Sequence, residues 1–250
     1  MEANLCALMG ALFEMLEEKN NKIHIININR HVETILRKNE FLLSFGYDKL
    51  EDNYDTSLTY RKFTPIDDIG FNNYIQKELL TKSGFPSHSY LLGKEIVRNI
   101  FEIYENARTH GECEFIHTCG QFFPKHPDKP LHFTIVDKGI NIKQNVSNFH
   151  NEDLDAGDAI KWAMIKGNTT KTGNTSGGLG LSVIFEFIKL NKGKIQVISS
   201  DGFYEFKNGV VETHKLGGVF DGTIVNFNFN LNDSNHYLLS SEADEDDIIF

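Results

Sequence analysis

The chain has 250 residues, 40% hydrophobic and 24% charged, with a formal net charge of −10 at pH 7. That composition describes a soluble globular protein of one large domain, or one domain with a smaller companion. The acidic balance argues against broad contact with a phosphate backbone, and no uninterrupted apolar run is long enough to span a bilayer, so nucleic acid and membrane are not expected partners. Three cysteines form no disulfide framework and the N-terminus lacks the basic start of a secretion signal. Both features point to a reducing cytoplasm.

In chain order, Leu5, Leu8, Met9, Leu12, Phe13 and Leu16 stand at helical spacing and predict a helix over 5–17 with this face apolar. Residues 22–29 alternate isoleucine with polar residues and predict a strand, with a short helix over 31–39. One strand is too little for a stable sheet. A neighbouring polypeptide or a second copy is therefore expected to complete the segment 1–50. The polar stretch 46–57 is the linker, 58–63 a strand, and 67–80 and 88–110 are helices. The second helix carries Leu92, Ile96, Ile100, Ile103 and Ala107 on one stripe. Strands are expected over 113–119 and 131–136, then a long polar region over 141–155 and helices over 156–165 and 181–190. Strands over 194–199, 202–206 and 223–231 close the sheet. The acidic tail from Glu242 to Phe250 is expected to be solvated, its terminal Ile-Ile-Phe being an alternative docking tag.

Three places carry chemistry. On the helix 88–110, Arg98, Glu102, Asn106 and His110 fall at four-residue steps along a polar stripe beside the apolar one. An amide there can bind Mg²⁺ and a carboxylate one turn earlier can accept a proton, although an Arg98–Glu102 ion pair on a solvated face has the same spacing. The strand 131–136 ends in Asp137-Lys-Gly139, where an aspartate can accept a hydrogen bond from an exocyclic amine and a glycine lets the backbone approach a flat base. The segment from Gly167 to Leu181 is rich in hydroxyls, carries Lys171, and runs through Gly177, Gly178 and Gly180 into a helix. Such a loop cradles phosphate on its backbone N–H groups and on the helix dipole. Cys113, His117 and Cys119 share a strand face, but their spacing is not that of zinc ligands, and buried cysteines account for it.

Each signal alone is weak; their order is specific. Glu102-x-x-x-Asn106, then Asp137-x-Gly139, then Gly177-Gly-Leu-Gly180 resembles the GHKL superfamily of ATP-binding domains, which includes gyrase, the heat-shock chaperone, MutL and histidine kinases. The resemblance implies an α/β (α+β) sandwich over 88–236, with helices on one face of a mixed sheet, preceded by a connector strand and helix over 51–87 and followed by a tail over 237–250. It implies ATP and Mg²⁺ as cofactors. Asn106 would hold the metal, and Asp137 would recognise adenine, supported by the Thr223 hydroxyl. Residues from about Asn141 to Gly178 would form the lid, with Thr169, Thr170 and Lys171 facing the phosphates. Glu102 matches the general base of the hydrolases and of anti-sigma-factor serine kinases, the group to which the run from Glu102 to Gly111 is especially similar; Glu105 is the other carboxylate beside Asn106. Asn141 stands where the family has a second glycine. The segment 1–50 resembles the second half of a STAS-like domain, the fold of anti-anti-sigma factors, which implies a protein partner or a homodimer.

Two functions follow from the resemblance. One is an enzyme that passes the γ-phosphate of ATP to water or to a serine or threonine of a protein partner. The other is a nucleotide-gated interaction module without turnover. A sensor histidine kinase fits less well, because no two-helix hairpin with a phosphorylatable histidine is present.

Overall fold

The computed structural model describes residues 2–110, 113–165, 167–168, 170 and 181–243. The helices are α1 (Leu5–Glu17), α2 (Arg30–Lys38), α3 (Asp68–Tyr74), α4 (Tyr90–His110), α5 (Ile142–His150), α6 (Ala156–Met164) and α7 (Ser182–Leu190). The strands are β1 (Ser57–Phe63), β2 (Ser87–His88), β3 (Ile116–Phe122), β4 (Pro130–Asp137), β5 (Lys194–Lys207), β6 (Val210–Asn230) and β7 (His236–Tyr237). Five of these strands form one sheet in the order β1-β3-β4-β6-β5, and β2 and β7 make a separate two-residue parallel pair. The architecture is an α+β sandwich. Its main sheet is antiparallel throughout rather than mixed, since β3–β4 and β5–β6 are hairpins and β6 inserts antiparallel to β4.

Alternation along the strands divides the core. Leu131, Phe133 and Ile135 of β4, Ile195 and Val197 of β5, and Val225, Phe227 and Phe229 of β6 are buried together with Ile96, Ile100 and Ile103 of α4 and Ile184, Phe187 and Ile188 of α7. Cys119 and Val136 belong to a second cluster with Cys6, Ala7 and Ala11 of α1 and with Leu36, Phe41 and Leu42. Within residues 88–236, α4, α6 and α7 thus pack on one face of the sheet, and α1 and α2 of the N-terminal segment cover the other.

α1 forms where its spacing predicts, but it is turned the other way. It buries Cys6, Ala7, Gly10, Ala11 and Glu14 and leaves Leu5, Leu12 and Leu16 exposed. Close approach is the cause. A β-carbon on Gly10 would lie 2.2 Å from Tyr60 Oη and 2.8 Å from His117 Nδ1, so only small residues fit along this seam. The buried Glu14 carboxylate faces Lys62 (2.7 Å), His117 (3.3 Å) and Lys138 (3.4 Å), and Lys138 also pairs with Glu18.

Residues 22–29 form no strand. Asn27 takes a positive φ of 55°, which breaks the extended run, while Ile25 and Ile28 pack against the second cluster. The segment thus holds no open sheet for another chain to complete. The polar region 141–155 contains α5, which begins because Asn141 Oδ1 accepts the Gln144 N–H at 2.9 Å. Asn141 itself is extended, with φ −78°. β3 begins three residues after the expected start at 113, and β5–β6 is one long irregular ribbon that extends well beyond residues 199 and 223. At the other edge of the sheet, the first part of β1 has outward backbone groups occupied. Lys82 Nζ donates to the Ser57 carbonyl at 2.6 Å, Glu78 accepts from the Thr59 N–H at 3.0 Å, and the Tyr74 hydroxyl donates to the Thr59 carbonyl at 2.7 Å. Residues 244–250 of the acidic tail lie outside the described residues.

Candidate functional site

A cavity opens between α4, α5, α6 and the ends of β4 and β6. It encloses about 100 Å³, well above the ~15 Å³ that a single water needs. Its walls are apolar, from Ile103 and Ala107 of α4, Ile142 and Val146 of α5, Trp162 and Met164 around α6, and Val225 of β6. Four polar groups named from the sequence line it: Asn106, Asp137, Thr170 and Thr223.

α4 delivers Asn106 because its apolar stripe, Leu92 to Ala107, is buried against the sheet and the adjacent stripe then faces the cavity. About two turns earlier, Asn99 is buried and its Oδ1 accepts the Ile184 N–H at 3.0 Å. That bond caps the start of α7 from α4, so the helix that follows the glycine loop is fixed to the helix that carries Asn106.

Asp137 closes β4 on the face of Leu131, Phe133 and Ile135, and it is only 5% exposed. Burial pushes its carboxyl up to about 7, against the backbone N–H groups of Thr223 and of Asp137 itself, which pull it down. Among the described residues it has no ion-pair partner. The neighbouring Lys138 lies on the opposite face with Glu14 and Glu18. β6 holds Thr223 directly across from Asp137. Gly222 permits this approach: its φ is +141°, and a β-carbon there would sit 2.2 Å from the Asp137 carbonyl oxygen.

Other expected site residues fall elsewhere. Glu102 is half-buried on α4 and does not line the cavity. The Arg98–Glu102 pair does not form, since Arg98 turns back to Glu95 at 3.6 Å. Glu105 is committed to Arg108 at 2.6 Å, which leaves Glu102 as the α4 carboxylate beside Asn106 without an ion pair among the described residues. Gly139 serves the turn, donating its N–H to the Asp221 carbonyl at 3.3 Å, and does not line the cavity. Thr169, Lys171, Gly177, Gly178 and Gly180 lie outside the described residues. The structure adds Trp162, Asn145 and Asn168 to the cavity wall; none stands in a spacing that marks it in the sequence. Among the described residues no helix is long and apolar enough to cross a membrane.

No protein-family model and no curated relative matches the sequence. Among solved structures, the chain is similar to the histidine kinase domain from Erythrobacter litoralis EL346 blue-light activated histidine kinase, at 14% identity over 92% of this chain and 88% of that one, with a TM-score of 0.30.

Proposed function

We propose that the chain is a GHKL-type domain that binds Mg-ATP in this cavity, and that it hydrolyses ATP or passes the γ-phosphate to a serine or threonine of a protein partner, acting as a regulatory switch. The observation that carries the reading is Asp137: a buried carboxylate with no cation beside it among the described residues, at the end of an apolar cavity, with a threonine across from it. Such a group is costly unless a donor arrives, and the exocyclic amine of adenine is a donor of the right kind between apolar walls that suit a flat ring.

The remaining residues fit the same ligand. Thr170 lines the cavity, and Thr169, Lys171, Gly177, Gly178 and Gly180 would cradle the phosphates on backbone N–H groups and one ammonium. Asn106 offers an amide oxygen at the cavity wall. It would hold a Mg²⁺ that keeps most of its waters and supplies charge neutralisation at the phosphates. Glu102, one turn from Asn106, takes the proton of the attacking water or hydroxyl in this reading.

The position of Glu102 favours a second reading. It stands outside the cavity wall, so a binding module that closes on nucleotide without turnover also fits. One experiment separates the two. Trp162, the single tryptophan, lines the cavity and reports binding by its fluorescence. ATP titrated with and without Mg²⁺ is expected to change that fluorescence, tighter with Mg²⁺, and phosphate release is expected in the wild type and lost by about 10²-fold or more in Glu102→Gln. Equal release in both proteins removes Glu102 as the base. Binding with no release, in the presence of candidate protein partners, leaves the module. Absence of binding overturns the nucleotide reading.

A further inference from the structure

Three polar residues stand side by side across neighbouring strands at the cavity end of the sheet. Asp137 on β4 pairs with Thr223 on β6, and Thr223 pairs with Ser199 on β5. Asp137 and Thr223 line the cavity; Ser199 does not, and it is completely buried. Its hydroxyl makes three contacts. It donates to the Gly222 carbonyl at 2.9 Å, accepts the Ile142 N–H at 2.8 Å, and lies 3.2 Å from Thr223 Oγ1.

A hydroxyl has one hydrogen and two lone pairs, and satisfying both backbone partners of Ser199 at once sets its direction. The Gly222 carbonyl can only accept, so it takes the Ser199 hydrogen. The Ile142 N–H can only donate, so it takes one lone pair. The lone pair that remains faces Thr223; either hydroxyl can donate across that contact, but only donation from Thr223 keeps both backbone bonds of Ser199. The Thr223 hydrogen is thereby spent on Ser199, inside the sheet. Thr223 lines the cavity, and in this arrangement its hydroxyl oxygen has only lone pairs left to offer a ligand there.

We infer that Ser199 is a positioning residue which fixes Thr223 as an acceptor, so that Thr223 and the Asp137 carboxylate together select a base with an exocyclic amine at C6 and reject one with a carbonyl there. The inference rests on the nucleotide reading of the cavity. It gives that reading a base specificity, and the specificity comes from a residue that touches no ligand. A 6-oxo purine placed in the same pose meets lone pairs with lone pairs, and a buried acceptor left unpaired is disfavoured.

The test titrates the full chain with ADP and IDP, which differ at this position of the purine, by calorimetry. The wild type is expected to prefer ADP by well over tenfold, since Asp137 and Thr223 each contribute about one buried hydrogen bond. In Ser199→Ala the Thr223 hydroxyl is free to rotate and donate to a 6-oxo group, and the ADP/IDP affinity ratio is expected to fall about tenfold. Ser199→Thr, which keeps the hydroxyl, retains the preference. Thr223→Ala leaves both backbone bonds of Ser199 in place and is also expected to lower the ratio about tenfold, leaving the part that Asp137 supplies; adding Ser199→Ala to it moves the ratio no further. A Ser199→Ala protein that loses affinity for both nucleotides equally has only a structural role at this position, and the inference is overturned. A Thr223→Ala protein that keeps the full preference overturns it too. A wild type that binds ADP and IDP equally overturns the specificity but not the nucleotide site, whereas a wild type that binds neither overturns both.

Discussion

Asp137 and Glu14 are two buried carboxylates associated with opposite faces of one sheet, and their surroundings drive them apart. Burial raises both. At Asp137 no cation among the described residues answers it and the carboxyl reaches about 7; at Glu14, His117 and Lys62 outweigh burial and hold the group at about 2. The consequences for stability have opposite signs. The Asp137 contribution is complete below its ordinary value of 3.8 and is lost as pH rises through about 7. The Glu14 contribution is complete above its ordinary value of 4.5 and is lost as pH falls toward about 2. The melting temperature of the wild type minus that of Asp137→Asn is therefore expected to decline as pH is raised from about 5 to about 8. A difference that does not change with pH would sink the assignment. Asp137, Thr223 and Asn106 were legible in the sequence because each stands in a pattern with a chemical reason. Ser199 was not: a lone serine within a strand has no spacing to mark it, and its three partners come from segments 23 to 57 residues away.

At the scale of elements, periodicity located α4, α7 and β4 well, because each has one apolar stripe with polar flanks. α1 shows what periodicity leaves out. Both of its faces are apolar, one of leucines and one of alanine, cysteine and glycine, and the bulkier face looked like the core. Sheet contact selected the smaller one, since Tyr60 and His117 occupy the space a large side chain would need. Gly10→Leu is accordingly expected to destabilise the protein by ~1–3 kcal/mol or more, while Leu12→Ala on the exposed face should stay within ~0.5 kcal/mol. Urea unfolding of the two variants decides it, and a larger loss in Leu12→Ala would mean that the leucine face is the buried one. Two other elements were misjudged for different reasons. Residues 22–29 have the alternation of a strand but no neighbour to supply hydrogen bonds. α5 was hidden by its asparagines, which lower helix propensity but cap its start at Asn141.

The two apolar clusters are not separable bodies, since they meet in the same strands. Ile116 of the first cluster and Cys119 of the second are both on β3, and Ile135 and Val136 alternate on β4. Unfolding followed by far-ultraviolet circular dichroism and by Trp162 fluorescence is therefore expected to give coincident urea transitions; an early separate transition would mean that residues 1–50 fold as a unit of their own. The backbone bonds along β1 carry a further consequence for how this molecule meets others. A strand that docks on a sheet edge gains its affinity from rows of unpaired amides and carbonyls. At β1 an arriving strand would have to pull a lysine from Ser57, and a glutamate and a tyrosine from Thr59, before it made its first rung. That stretch from Ser57 to Thr59 resists growth by stacking, and fibres that lengthen by adding one copy's sheet to the next find no ready starting point on it.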